Sequence, residues 1–285
     1  MEYFIHILTR PDNIPIAGML FLVVFYYYWG VSQALKIDRL GINREIDKVH
    51  CWPYLTKIEF LASLIVMVVL TVWSITIDAP LAEPASTSKT PNPAKAPWYF
   101  LGLQEMLVYF DPWIAGVLLP TLIIIGLMAI PYLDNNKKGS GYYSFRSRKF
   151  AIPVFSFGYM LWVILIIVGT FFRGPGWYFF LPWEEWDVHK VVGITNVDLP
   201  YAFGLRSYFW SFLFGGAVVC GYYFLGVLFY LYLRKKEPEF VKKFGKLRYT
   251  IVASLFLTMM ALPIKMILRI AFNIKYVWVT PWFNI

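Results

Sequence analysis

Charge is what this sequence has least of. Only 15% of its 285 residues are Asp, Glu, Lys or Arg, while 59% are hydrophobic and 20% aromatic; a soluble domain carries about 25% charged residues. That balance excludes an ordinary water-soluble fold and predicts an all-α integral membrane protein. Cysteine is nearly absent. Cys51 and Cys220 lie far apart and form no Cys-x-x-Cys or Cys-x-x-Cys-His pattern, so they provide neither a zinc site nor a c-type haem attachment, and each reads as a structural thiol. Histidine is too scarce for the chain to hold its own b-type haems, which need paired axial ligands, usually histidines, on facing membrane helices. His6, His50 and His189 all fall in loops or tails. The chain is expected to have no metal site, and no Gly-rich phosphate loop, Ser-His-Asp set or His-Glu-x-x-His motif appears. The first ten residues lack a basic stretch before an apolar core, so no cleavable leader is expected.

What the chain does contain is apolar runs of membrane length. A hydrocarbon core of ~30 Å needs about 20 residues of helix. Five charge-free runs qualify, 13–35, 60–77, 112–133, 150–172 and 207–233; a sixth begins at 249 and is interrupted by Lys265 and Arg269. Those two cations lie four residues apart, so they share a helix face. Snorkelling to the interface and binding of a lipid headgroup or an acidic partner both account for them.

Basic residues collect on the cytoplasmic side of membrane proteins. Segments 34–57, 134–150 and 233–249 hold 17 Lys and Arg, and the alternate segments 1–13, 78–112, 173–206 and 273–285 hold seven. This split places both termini, and the long loop after the second span, on the outer (p) side. The net charge of +9 therefore reads as loops facing anionic lipid, not as a nucleic-acid surface.

The stretch 90–105 stands out in that outer loop. Pro91, Pro93 and Pro97 forbid a regular helix before residue 98, because each lacks an N–H and holds its predecessor extended. An aromatic wall follows, Trp98, Tyr99 and Phe100, and then helix formers carrying Gln104 and Glu105. A stiff loop feeding a short aromatic helix at a membrane surface is suited to a flat, amphipathic ligand. Segment 173–200 is also rich in Trp and Tyr, with acids at Glu184, Glu185 and Asp187. It reads either as an interfacial aromatic belt or as a docking surface for a p-side partner, and the tail 276–285 shares that character.

From 52 to 172 the sequence resembles the C-terminal half of cytochrome b, the three-helix subunit IV of cytochrome bc- and bf-type complexes. The anchors run in order: Trp52-Pro53, Glu83-Pro84-Ala85, Trp98-Tyr99-Phe100-Leu101, Pro131-Tyr132-Leu133-Asp134-Asn135 and Phe145-Arg146. The family motif Pro-Glu-Trp-Tyr is matched by Ala96-Pro97-Trp98-Tyr99, so Pro97 stands where the motif glutamate is expected. The full form of the loop resembles the variant of bacterial complexes that use menaquinol.

The resemblance implies a division into an N-terminal extension (1–51) with one span, a subunit IV-like core (52–172) with three, and a C-terminal extension (173–285) with two. It also implies a quinol-oxidising subunit in a prokaryotic cytoplasmic membrane, not catalytic alone. Its p-side site would be formed by Pro97, Trp98, Phe100 and Leu101, with Tyr99 as a hydrogen-bond donor. Haem b and an iron–sulfur cluster would reside in a cytochrome b N-terminal-type subunit and a Rieske-type protein, beside a c-type cytochrome, in a dimeric complex contributing to proton translocation. With the motif glutamate missing, Glu105 is the expected catalytic carboxylate, because quinol oxidation sheds protons that a nearby base must take; a helix cap or a pair with Lys95 is its plainer reading. Two competing readings remain. One is a membrane scaffold that keeps the fold without a working site, and the other is a transporter, for which no internal repeat speaks.

Overall fold

A computed structural model describes residues 2–11, 13–40, 50–78, 81, 84–88, 94–138, 142–185, 187 and 195–285. Glu83, the stretch 89–93 with Pro91 and Pro93, His189, and the loop cations Arg44, Lys48 and Lys190 lie outside the described residues. The chain is an all-α membrane protein. Among the described residues, six helices are long and apolar enough to cross a bilayer: Ile14–Leu40, Cys51–Thr76, Ile114–Leu133, Ala151–Phe172, Tyr208–Lys236 and Lys246–Phe272. They are called the first to sixth spans below. A nine-residue helix, Trp98–Met106, precedes the third span and is called the loop helix. No regular strand occurs among the described residues; isolated bridges include Val197 with Ile274 and Val279 with Asn284.

All six expected runs become helices, and the differences lie at their ends. Counting charge-free residues ends each run at the first ionisable side chain, although Lys, Asp and Arg at a helix terminus interrupt nothing. The first span thus continues through Lys36, Asp38 and Arg39 to Leu40, and the second begins ahead of Lys57 and Glu59. The second span opens on the bent segment Cys51–Leu55, in which Trp52 is extended. The sixth span starts after Gly245, whose φ of +87° is costly for any residue with a Cβ, and ends at Asn273 in the left-handed conformation, with φ of 57°.

By internal contacts the chain forms two compact units. One comprises Met1–Pro93, Lys137–Phe155 and Gly174–His189. Within it, the Asp38 carboxylate accepts hydrogen bonds from Ser144 Oγ and from the Arg146 N–H, both at 2.7 Å, so the end of the first span is tied to the turn that carries Phe145-Arg146. The second span has no buried residue along Thr56–Thr76. A helix apolar all round and uncovered by its own chain needs lipid or another protein against it.

The other unit comprises Ala94–Asn136, Ser156–Arg173 and Lys190–Ile285. Its fifth and sixth spans lie side by side, with Tyr222 Oη donating to the Leu257 carbonyl at 2.6 Å and Tyr249 Oη to the Gly226 carbonyl at 2.7 Å. The C-terminal segment folds back on this pair. Leu199 N–H donates to the Tyr276 carbonyl at 2.7 Å, and Trp278 and Ile285 exchange backbone bonds of 2.9 Å. Gly215 of the fifth span admits that segment: a Cβ there would meet the Val277 carbonyl at 2.6 Å and Trp278 Cα at 2.7 Å. The unit's core cluster is Met106, Tyr109, Phe110, Ile114, Ala115 and Leu165, and Leu262, Met266 and Ile285 pack against it. Residues of the C-terminal third therefore support the residues that follow the loop helix.

Candidate functional site

Pro97 sets the start of the loop helix. Its extended backbone (φ −51°, ψ 147°) ends the proline-rich approach, and its carbonyl accepts from the N–H groups of Phe100, at 2.8 Å, and Leu101, at 3.1 Å. Of the nine residues that follow, Leu101, Gly102, Glu105 and Met106 are buried. At about 100° per residue these positions form one face. Phe100 points away from it, and Tyr99 lies at its edge.

The aromatic wall is open. Trp98, Tyr99 and Phe100 are 40%, 51% and 53% exposed. Trp98 and Tyr99 meet edge to face with centroids 5.5 Å apart, and Tyr99 and Phe100 tilt together at 4.9 Å. The three rings make a continuous apolar surface with one hydroxyl, that of Tyr99. Leu101, expected beside them in the site, is only 2% exposed and is part of the base.

Two glycines let that base come close. A Cβ on Gly102 would stand 3.0 Å from the Trp162 indole, and one on Gly169 would stand 2.9 Å from Leu101 Cγ. The loop helix thus rests on Trp162 and Gly169 of the fourth span with no room for a methyl group at Gly169. The approach to the wall is fastened as well. Gln104 turns back on the preceding loop, accepting from the Ala96 N–H at 2.8 Å and donating to the Ala94 carbonyl at 3.1 Å. Lys95 Nζ donates to the Thr170 carbonyl at 2.7 Å.

Glu105 is completely buried, and its carboxylate receives Arg173 and Tyr109. Arg173 Nε lies 2.9 Å from Oε2 and 3.2 Å from Oε1, Arg173 Nη2 lies 2.5 Å from Oε1, and Tyr109 Oη donates to Oε1 at 2.8 Å. Burial, with the Glu105 carboxylate beside it, pushes the Tyr109 hydroxyl above its ordinary value, so Tyr109 keeps its proton and donates. The structure therefore brings Pro97, Trp98, Tyr99 and Phe100 together and sets Glu105 on the buried face of the helix, turned away from Phe100. Sequence reasoning counted Arg173 only as an outer-loop cation and did not single out Tyr109, Gly102 or Gly169. Arg173 is the first charge after an apolar run, a signal for a span end but not for a partner 68 residues away.

Lys265 belongs to the same unit and does not snorkel. It is 3% exposed, donates to the Lys275 carbonyl, and sits 5.4 Å from the Phe110 ring centroid and 5.9 Å from that of Tyr276. Asp198 lies near enough to feel it: burial raises the Asp198 carboxyl above its ordinary value, and Lys265 and Lys275 oppose that shift. For haem the residues present do not fit an axial pair, because His6 and His50, the described histidines, are exposed and lie outside the six spans. No group of three or more His, Cys, Asp and Glu able to hold a metal ion occurs among the described residues.

Residues 84–175, about a third of the chain, match the family model for Cytochrome b(C-terminal)/b6/petD. The matched region takes in the loop helix, the third and fourth spans and Arg173. No solved structure matches the chain. A stretch that matches the cytochrome b C-terminal/subunit IV family model thus lies inside an all-α membrane protein.

Proposed function

We propose that this chain is the quinol-oxidising subunit of a bacterial cytochrome bc-type complex and that the wall of Trp98, Tyr99 and Phe100 is its contribution to the p-side quinol site. The family domain supports membership of a bc- or bf-type complex. One observation carries the reading: three adjoining rings are 40–53% exposed at the start of a helix whose buried face is locked to its own chain. A quinol is flat and apolar with hydroxyl groups at its edges, so the adjoining aromatic rings provide area and the Tyr99 hydroxyl provides orientation. Pro97 fixes where the wall begins.

In this reading the quinol gives up two electrons and two protons, the electrons leaving one at a time. One goes to a Rieske-type iron–sulfur protein and the other to haem b of a cytochrome b N-terminal-type subunit, with a c-type cytochrome downstream. Those groups supply the redox chemistry, and this chain's residues bind and orient the quinol. In this proposal the loop sequence favours menaquinol, the basic loops support a p-side position for the wall and both termini in a prokaryotic cytoplasmic membrane, and the complex would be dimeric. Within this proposal 52–172 is the subunit IV-like core, and 1–51 and 173–285 are extensions that enlarge its interfaces.

The test uses membranes containing the assembled complex. Phe100→Ala and Tyr99→Phe should each raise the quinol KM and weaken a p-side inhibitor by about tenfold, the loss of roughly 1.4 kcal/mol of contact. Unchanged KM and inhibitor affinity in both variants, in complexes with normal haem content, would leave a scaffold subunit as the reading.

A further inference from the structure

We infer that Glu105, Arg173 and Tyr109 form a buried clamp that fixes the position of the aromatic wall, so that Glu105 is a positioning residue and not the group that takes the quinol's proton. The inference rests on the quinol reading above and adds to it what holds the site in register.

The first argument is the state of the carboxylate. Oε1 receives Tyr109 Oη, Arg173 Nη2 and a longer contact from Arg173 Nε, while Oε2 receives Arg173 Nε at 2.9 Å. All are donors directed into an acceptor, so the carboxylate's hydrogen bonds are made inside its own chain, to Arg173 and Tyr109. The second argument is direction. Glu105 follows Phe100 by five residues, which at about 100° each turns it well away from the exposed ring. Its complete burial agrees with that phase.

The third argument is mechanical. Thr170 and Arg173 are one turn apart at the end of the fourth span, and each holds one end of the loop. The Thr170 carbonyl takes Lys95 and the Arg173 guanidinium takes Glu105, so the wall at 98–100 is suspended between two fixed points. Gly169 lies beside them and lets Leu101 approach to contact. A change at Arg173 therefore shifts the rings without touching the ligand. Arg269 is a further charge near the clamp, close enough to Arg173 to repel it, and Tyr109 stays neutral.

The test again uses membranes with the assembled complex, comparing Glu105→Gln, Arg173→Gln, Arg173→Lys, the double Glu105→Gln/Arg173→Gln variant and Phe100→Ala. A clamp predicts that each Gln variant raises the quinol KM and the inhibitor Kd by about tenfold. The pH profile of kcat should keep its shape, Arg173→Lys should recover part of the loss, and the double variant should be no worse than the worse single one. If Glu105→Gln instead lowers kcat at unchanged KM and removes the acidic limb of the pH profile, Glu105 is the proton acceptor and the inference is overturned. Should the Gln variants leave KM and inhibitor affinity untouched while Phe100→Ala changes both, the clamp fails and the quinol site stands. No effect from Phe100→Ala either would remove the quinol reading and the clamp with it. Where the Gln variants do not assemble, Tyr109→Phe removes a single donor and should still raise KM by about threefold; an unchanged KM there also overturns the clamp.

Discussion

Between Thr56 and Thr76 no residue of the second span is buried, whereas four of the nine residues of the loop helix are. Both helices are apolar and both belong to a membrane protein, yet their positions are determined by different things. The second span satisfies its Ser63, Thr71 and Ser74 hydroxyls on its own backbone and presents its apolar side chains outward. Its place depends on lipid or on another subunit. The loop helix is held by this chain: a buried ion pair, two glycine contacts and a glutamine turned back on the loop. The loop helix is thus fixed from within its own chain, while the second span is left to its surroundings.

The comparison can be broken most easily at the ion pair. Removing one partner of a buried pair leaves the other charge uncompensated and costs about 3–5 kcal/mol. Arg173→Gln should therefore lower the stability of the loop region by that amount, read as faster hydrogen exchange over 98–106 in the detergent-solubilised complex. Unchanged protection would show that the loop does not depend on Arg173. A smaller effect is expected at Gly169→Ala, where the added methyl must displace Leu101 at a cost of about 1–3 kcal/mol. Combining it with Leu101→Ala should recover part of the shift if the contact itself is responsible. The smallest belongs to the second span. Met67→Ala, on a side chain 61% exposed, should change the thermal stability of the isolated chain by less than about 0.5 kcal/mol. A loss of several kcal/mol would mean that the span is packed by its own chain after all.

These same differences explain what was legible in the sequence. Spans follow from length and hydropathy, which are local, so all six runs became helices and only their charged ends moved. The aromatic wall was legible too, because Pro97 and the following rings act through adjacent backbone. The support beneath the wall was not. Glu105 meets Arg173 across 68 residues and Lys95 meets the Thr170 carbonyl across 75, and no periodicity encodes such pairings. Glycines at 102 and 169 look permissive in sequence and become necessary only where Trp162 and Leu101 approach them. Lys265 misled for a related reason. A lysine in an apolar helix reads as snorkelling until the Lys275 carbonyl and the Phe110 and Tyr276 rings are seen around it.

The return of Gln104 onto the Ala96 N–H and the Ala94 carbonyl has a thermodynamic consequence. With its last backbone turn before the rings already hydrogen-bonded to its own helix, the approach to the wall has its final shape before any ligand arrives. In the quinol reading proposed above, binding would then forfeit little conformational entropy in this chain, and affinity would reflect ring contact more fully than on a loop that must be ordered first.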